Sequence, residues 1–112
     1  MSEFTESKKF VNYVISKLGE GSIFPLVAGC FNKRFYKPPG FIAGMPDYNI
    51  PALNLFIEMK DINPGEVKKH KEKQEAIHEL LRTQGQHVYT CFGYKKAREK
   101  FDYHYSIYKQ TC

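Results

Sequence analysis

Gly44-Met45-Pro46-Asp47-Tyr48-Asn49-Ile50-Pro51-Ala52-Leu53-Asn54-Leu55-Phe56-Ile57-Glu58-Met59-Lys60 is the stretch on which the fold turns. Tyr48 to Ile50 and Leu53 to Met59 are short β-type runs, and Pro51-Ala52 between them reads as a hairpin corner, because proline cannot donate to a ladder. Side chains alternate across a strand, so Glu58 and Lys60 share one face while Met59 takes the other. A hairpin turning at Pro51 brings Asp47 back beside Glu58. Two carboxylates about 4 Å apart repel by roughly 4 kcal/mol at an effective dielectric of 20, so the pair calls for a cation or a shared proton. All-oxygen ligation suits Mg²⁺ or Mn²⁺. A metal held there polarises a phosphoryl oxygen and acidifies a water, and a neighbouring ammonium offsets charge developing on phosphate. Asp47, Glu58 and Lys60 together therefore fit phosphodiester hydrolysis. Taken singly, Pro-Asp closes a turn and Glu-x-Lys is a same-face ion pair; only the combination carries chemistry.

Working outward, Phe10, Val11, Val14, Ile15 and Leu18 recur at helical spacing, which predicts an amphipathic helix over Phe4 to Leu18 ended by Gly19 and Gly21. Ser22 to Gly44, rich in glycine, proline and aromatics, predicts a strand or two with irregular connections. After the turn signal Asn63-Pro64-Gly65 a long helix is expected from about Glu66 to Thr83, stopped by Gly85. Gln86 to Phe92 then reads as a strand and Tyr94 to Phe101 as a final helix. From Phe101 to Tyr108 the apolar Phe101, Tyr103, Tyr105 and Ile107 alternate with polar residues, as on a strand with one apolar face. Such an exposed face predicts a homodimer, since twofold association buries a self-complementary patch. The order of elements predicts the α/β class, a mixed β-sheet flanked by helices.

The 112 residues, 42% of them hydrophobic, suffice for one domain spanning 1–112 with a modest core. No apolar run approaches the roughly 20 residues that span a bilayer, and the start is charged, so a soluble, cytoplasmic protein is expected. Cys30, Cys91 and Cys112 form neither a CxxC pair nor a cluster with histidine, and are read as reduced thiols. Seventeen Lys and Arg against twelve Asp and Glu give +5, a balance that favours a polyanionic partner, nucleic acid first.

The arrangement resembles the VRR-NUC family, the virus-type replication and repair nucleases of the PD-(D/E)XK superfamily. The resemblance runs from Gly44 to about Tyr94. It rests on Gly44-Met45-Pro46-Asp47, on Phe56-Ile57-Glu58-Met59-Lys60, on Gln74 in the following helix and on Gly85 before His87-Val88-Tyr89. It implies a restriction-endonuclease-like PD-(D/E)XK core and cleavage of DNA, with branched forms such as flaps or four-way junctions among the expected substrates, with Mg²⁺ or Mn²⁺. By resemblance Asp47 and Glu58 are metal ligands, the backbone carbonyl of Met59 is a further one, and Lys60 is the catalytic lysine. Members include phage proteins, for which the host cytoplasm is the place of action, and the C-terminal domain of a Fanconi-anaemia-associated nuclease. The superfamily often adds an acidic residue from the first helix; Glu3 and Glu6 both qualify, and Glu6, one turn before Phe10, is preferred. The competing expectation is a catalytically silent basic nucleic-acid-binding module of the same fold.

In the second helix Val67, His70, Gln74, Ile77 and Leu81 fall at spacings of three and four, so His70 and Gln74 lie on the stripe that faces the sheet. A glutamine amide there can hold Lys60 or a phosphate oxygen. His70 is read as a satisfied histidine with no catalytic part. Lys68, Lys69, Lys71 and Lys73 on the outward arc of that helix, with Lys33, Arg34 and Lys37 in the aromatic loop, are the expected DNA contacts; Lys95, Lys96, Arg98 and Lys100 follow the last strand. No base-reading motif is present, so selectivity would come from nucleic-acid shape.

Overall fold

The structure, a computed structural model, describes residues 3–26, 44–60 and 68–111, with side chains from Thr5 in the first helix and from Gln74 in the second. The elements are α1 (Glu3–Leu18), β1 (Phe24–Pro25), β2 (Tyr48–Ile50), a 3-10 turn (Pro51–Leu53), β3 (Leu55–Lys60), α2 (Lys68–Thr83), β4 (His87–Phe92) and α3 (Tyr94–Thr111). They form a small α/β fold in which a four-stranded mixed sheet is flanked by helices. Strand order is β1-β2-β3-β4, antiparallel at the first two pairings and parallel between β3 and β4. A parallel pair needs a crossover, and α2 supplies it.

The hairpin forms where the proline predicts it, but the corner is longer. Pro51 starts a 3-10 turn through Leu53, and Asn54 closes it in the left-handed region (φ 51°), donating its N–H to the Pro51 carbonyl at 3.1 Å. Asparagine tolerates that region better than other side chains. The second strand therefore begins at Leu55 and not at Leu53. Pro25, which has no N–H, sits on the two-residue strand β1 at the sheet edge, where a missing donor costs least.

β3 is buried along nearly its whole length, as expected for a strand covered on both faces. Leu55, Ile57 and Met59, none of them exposed, join Phe10 and Val14 of α1 and Ala97 and Phe101 of α3 in one core. Aromatic edges fill it, with Phe101 at 6.4 Å from Phe10 and 5.7 Å from Tyr13, both nearly perpendicular. The even-numbered residues of β3 face α2 instead.

The expected strand from Phe101 to Tyr108 is corrected by the structure: α3 runs unbroken for 18 residues. No glycine or proline interrupts Tyr94 to Thr111, and Ala97, Phe101, His104, Tyr105 and Tyr108 recur at helical spacing on the core side. Two members of the alternating set, Tyr103 and Ile107, point outward and are 61% and 45% exposed. The expected homodimer thus has no edge strand here, only those two side chains. The stretch expected to hold a strand or two shows β1, and the rest of it, like the start of the second helix expected at Glu66, lies outside the described residues. No described helix is long and apolar enough to cross a membrane.

Candidate active site

Tyr48 pairs with Ile57. Asp47 is the residue just before β2, one step beyond that pairing. The Asp47 backbone is fixed by its carbonyl, which accepts the Leu26 N–H at 2.7 Å. Beyond the end of β2, Met59 has an N–H facing β2, and the Asp47 side chain meets it: Oδ2 accepts at 2.8 Å. The first carboxylate is thus held against the backbone between Glu58 and Lys60.

Glu58, 4% exposed, points to the α2 side with Lys60 two residues on. From α2, Gln74 bridges the two: its Nε2 donates to Glu58 Oε2 at 3.2 Å, and its Oε1 accepts from Lys60 Nζ at 3.1 Å. Lys60 Nζ also lies 3.4 Å from Glu58 Oε2, closing a triangle of carboxylate, ammonium and amide. A buried carboxylate needs such compensation. The lysine side chain keeps 32% of its surface, so the triangle opens to solvent at the ammonium. Asp47 thus meets the Met59 backbone, and Glu58, Lys60 and Gln74 meet one another.

Glu6 meets the start of α3. Its Oε1 accepts the Tyr94 N–H at 3.0 Å, at the start of α3, and its Oε2 lies 3.5 Å from Lys9 Nζ. A carboxylate is favoured at a helix N-terminus, which explains the placement. Gly93 donates to the Lys60 carbonyl at 3.1 Å, so Glu6 sits near the same end of the sheet but on the α1 and α3 side. The side chain of Glu3 lies outside the described residues. So do Lys33, Arg34 and Lys37, and the side chains of Lys68, Lys69, His70, Lys71 and Lys73. Of the α3 cations, Lys96 is 4.0 Å from Glu99, Arg98 is 3.5 Å from Asp102 and stacks over Tyr13, and Lys100 lies over Tyr89.

His78 is the site neighbour that the sequence reading passed over. It follows Gln74 by one helical turn, is 1% exposed, and neither ring nitrogen has a hydrogen-bond partner among the described residues. Burial holds its pKa below the usual histidine value; Glu75 opposes that shift, and Arg82 and Lys60 reinforce it. The signal was the spacing itself, since position 78 is four after Gln74 on the sheet-facing stripe. Cys91, on the other face, is pushed up to about 11 by burial, which makes it an inert thiol.

Among the described residues no three or more His, Cys, Asp or Glu side chains gather as a metal site. Asp47, on the Met59 N–H, and the neighbouring Glu58, with the Met59 carbonyl, would nevertheless suit Mg²⁺, because it usually takes one or two carboxylates and fills its remaining positions with water and phosphate. A hollow lined by His87, Tyr89, Tyr103, His104 and Ile107 lies at the other end of β3 and β4, against α3, and contains no carboxylate. Comparisons of the chain with protein-family models, with curated proteins and with solved structures find no match.

Proposed function

We propose that the protein is a Mg²⁺- or Mn²⁺-dependent nuclease of the PD-(D/E)XK type that hydrolyses DNA phosphodiesters. The observation that carries this reading is the Asp47 carboxylate held on the Met59 N–H, beside a Glu58 and Lys60 that Gln74 bridges. Asp47 and Glu58, with the Met59 carbonyl, would hold the cation. When bound, it supplies positive charge against the phosphoryl oxygens and lowers the pKa of water. The protein's own residues do the rest. Lys60, fixed by Gln74, directs an ammonium toward the charge that builds on phosphate, and its exposed side admits a polyanion. Glu58 restrains that ammonium. Met59 N–H holds Asp47 in place, so the carboxylate is oriented before any ligand arrives. The net charge of +5 favours DNA as the polyanion. A homodimer, if formed, would use the outward Tyr103 and Ile107.

A second reading, a silent nucleic-acid-binding module, is favoured by the closure of the triangle: Glu58 Oε2 already meets both Lys60 and Gln74 without a cation. Incubating the full chain with single-stranded, duplex, flap and four-way-junction DNA, and with RNA, with and without Mg²⁺ or Mn²⁺, separates the two. Metal-dependent cleavage of DNA is expected. Binding without cleavage under every metal condition supports the silent module, and cleavage confined to RNA replaces the substrate.

A further inference from the structure

At its last residue β4 carries an aromatic side chain beside the triangle. In the parallel register of β3 and β4, Glu58 pairs with Thr90 and Lys60 with Phe92. The pleats of neighbouring strands run in step about 4.8 Å apart, so paired residues point to one face, and the Phe92 ring stands next to the Lys60 side chain on the α2 side. Cys91, one residue before it, is buried on the other side. Phe92 is 48% exposed and Lys60 keeps a third of its side-chain surface, so both reach the opening of the triangle. A single exposed apolar side chain is common and by itself means nothing. What singles this one out is its neighbour. A flat apolar ring and an ammonium side by side match a nucleotide, which carries a flat ring one sugar away from an anionic phosphate.

We propose that Phe92 is a stacking platform for an unpaired DNA base next to the phosphate that Lys60 meets, so that the site selects single-stranded segments. Inside a duplex each base is stacked on its neighbours and tied to its partner, and it has no face free for Phe92. An unpaired base at a flap, a fork or a single-stranded end has one to offer. Every base has a π-face, so an aromatic platform reads strandedness and not sequence. Lys60 cannot make that distinction, because duplex and single strand both present phosphate. Phe92 holds the strand, and the charge chemistry stays with Lys60 and the carboxylates. The role deepens the nuclease reading and rests on it for the substrate, DNA with unpaired bases; the stacking itself needs no cleavage.

The chain contains no tryptophan, so Phe92→Trp places its only indole at the platform. The full-length variant is titrated, without divalent metal so that no strand is cut, with a single-stranded oligonucleotide and with the corresponding duplex, while anisotropy of a label on the DNA reports binding. Stacking should quench the indole emission at saturation with the single strand, and the duplex should leave it nearly unchanged. In Phe92→Ala the affinity for the single strand should fall about tenfold, within the range for one base–aromatic stack, and that for the duplex by less than about twofold. An indole that ignores a single strand shown by anisotropy to be bound overturns the proposal, and so does an equal loss for both DNA forms in Phe92→Ala. Quenching and a selective loss in a protein that cuts no DNA when metal is supplied keep the platform and remove the nuclease reading. Metal-dependent cleavage with an unquenched indole does the reverse, and a wild-type protein that binds neither DNA form removes both.

Discussion

The two faces of β3 are made of alternate residues of one six-residue strand, yet they differ in kind. Toward α1 and α3, Leu55, Ile57 and Met59 meet aromatic rings in an apolar layer. Toward α2, Glu58 and Lys60 meet Gln74 in a polar layer, and His78 of the same helix is buried. Glu58 is nearly as buried as the apolar residues opposite, so burial alone does not account for the difference. What differs is the nature of the compensation. Apolar contacts are interchangeable and non-directional, whereas each polar contact depends on a particular partner. The first face should therefore govern stability and the second should govern chemistry.

The comparison breaks hardest at Phe101, unexposed and in contact with Phe10, Tyr13 and Tyr105. Phe101→Ala should cost about 3–5 kcal/mol in denaturant unfolding, enough to threaten a domain of this size. Next come Asp47→Asn, Glu58→Gln and Lys60→Ala, each expected to lower cleavage on the order of 10²-fold or more with circular dichroism unchanged. Full activity in Lys60→Ala would remove the nuclease assignment.

A finer probe is pH. His78 and His104 both have folded pKa values below the ordinary 6.5, chiefly through burial. Between the folded and the ordinary value the unfolded chain takes up a proton that the folded chain does not, so stability is full above pH 6.5 and is lost as pH falls below it. His78→Leu should flatten that loss and, by removing a buried polar ring, raise stability at neutral pH by about 1 kcal/mol. A thermal denaturation series from pH 7.5 to 5 reads both effects. The opposite sign, with wild type gaining stability in acid, would mean that the ring has an anionic partner when folded. Smallest of all, Tyr103→Ser with Ile107→Ser should change stability by less than about 0.5 kcal/mol each, as outward positions do. Light scattering at micromolar concentration would show whether the pair matters for association: a dimer that becomes monomeric supports the homodimer, and a monomeric wild type removes it.

Much of the polar face was legible in the chain because two periods fix it. The two-residue period of β3 puts Glu58 and Lys60 on one side, the Pro51 corner sets the register of Asp47, and the helical period brings Gln74 round. What escaped depended on events far along the chain or on coincident patterns. The partner of Glu6 was not legible, because sequence cannot say which distant helix start a carboxylate will meet, and it meets Tyr94. The end of α3 looked like a strand because aromatic residues favour strands and happen to alternate at Phe101, Tyr103 and Tyr105; the absence of any breaker was the stronger signal. His78 was missed because Ile77 and Leu81 already satisfied the apolar stripe.

The bond from Tyr94 to Glu6 joins residues 88 positions apart, and Tyr13 donates to Asp102 across 89 at 2.6 Å. A helix made early thus leans on one made much later. On the ribosome α1 must wait, its Phe10 and Val14 uncovered, until α3 has left the exit tunnel. Contacts of such long sequence separation slow folding because the loop must close before they reward it. A nascent chain stalled before Tyr94 should therefore leave α1 undocked and open to proteolysis, and docking should follow release of α3 in a single step.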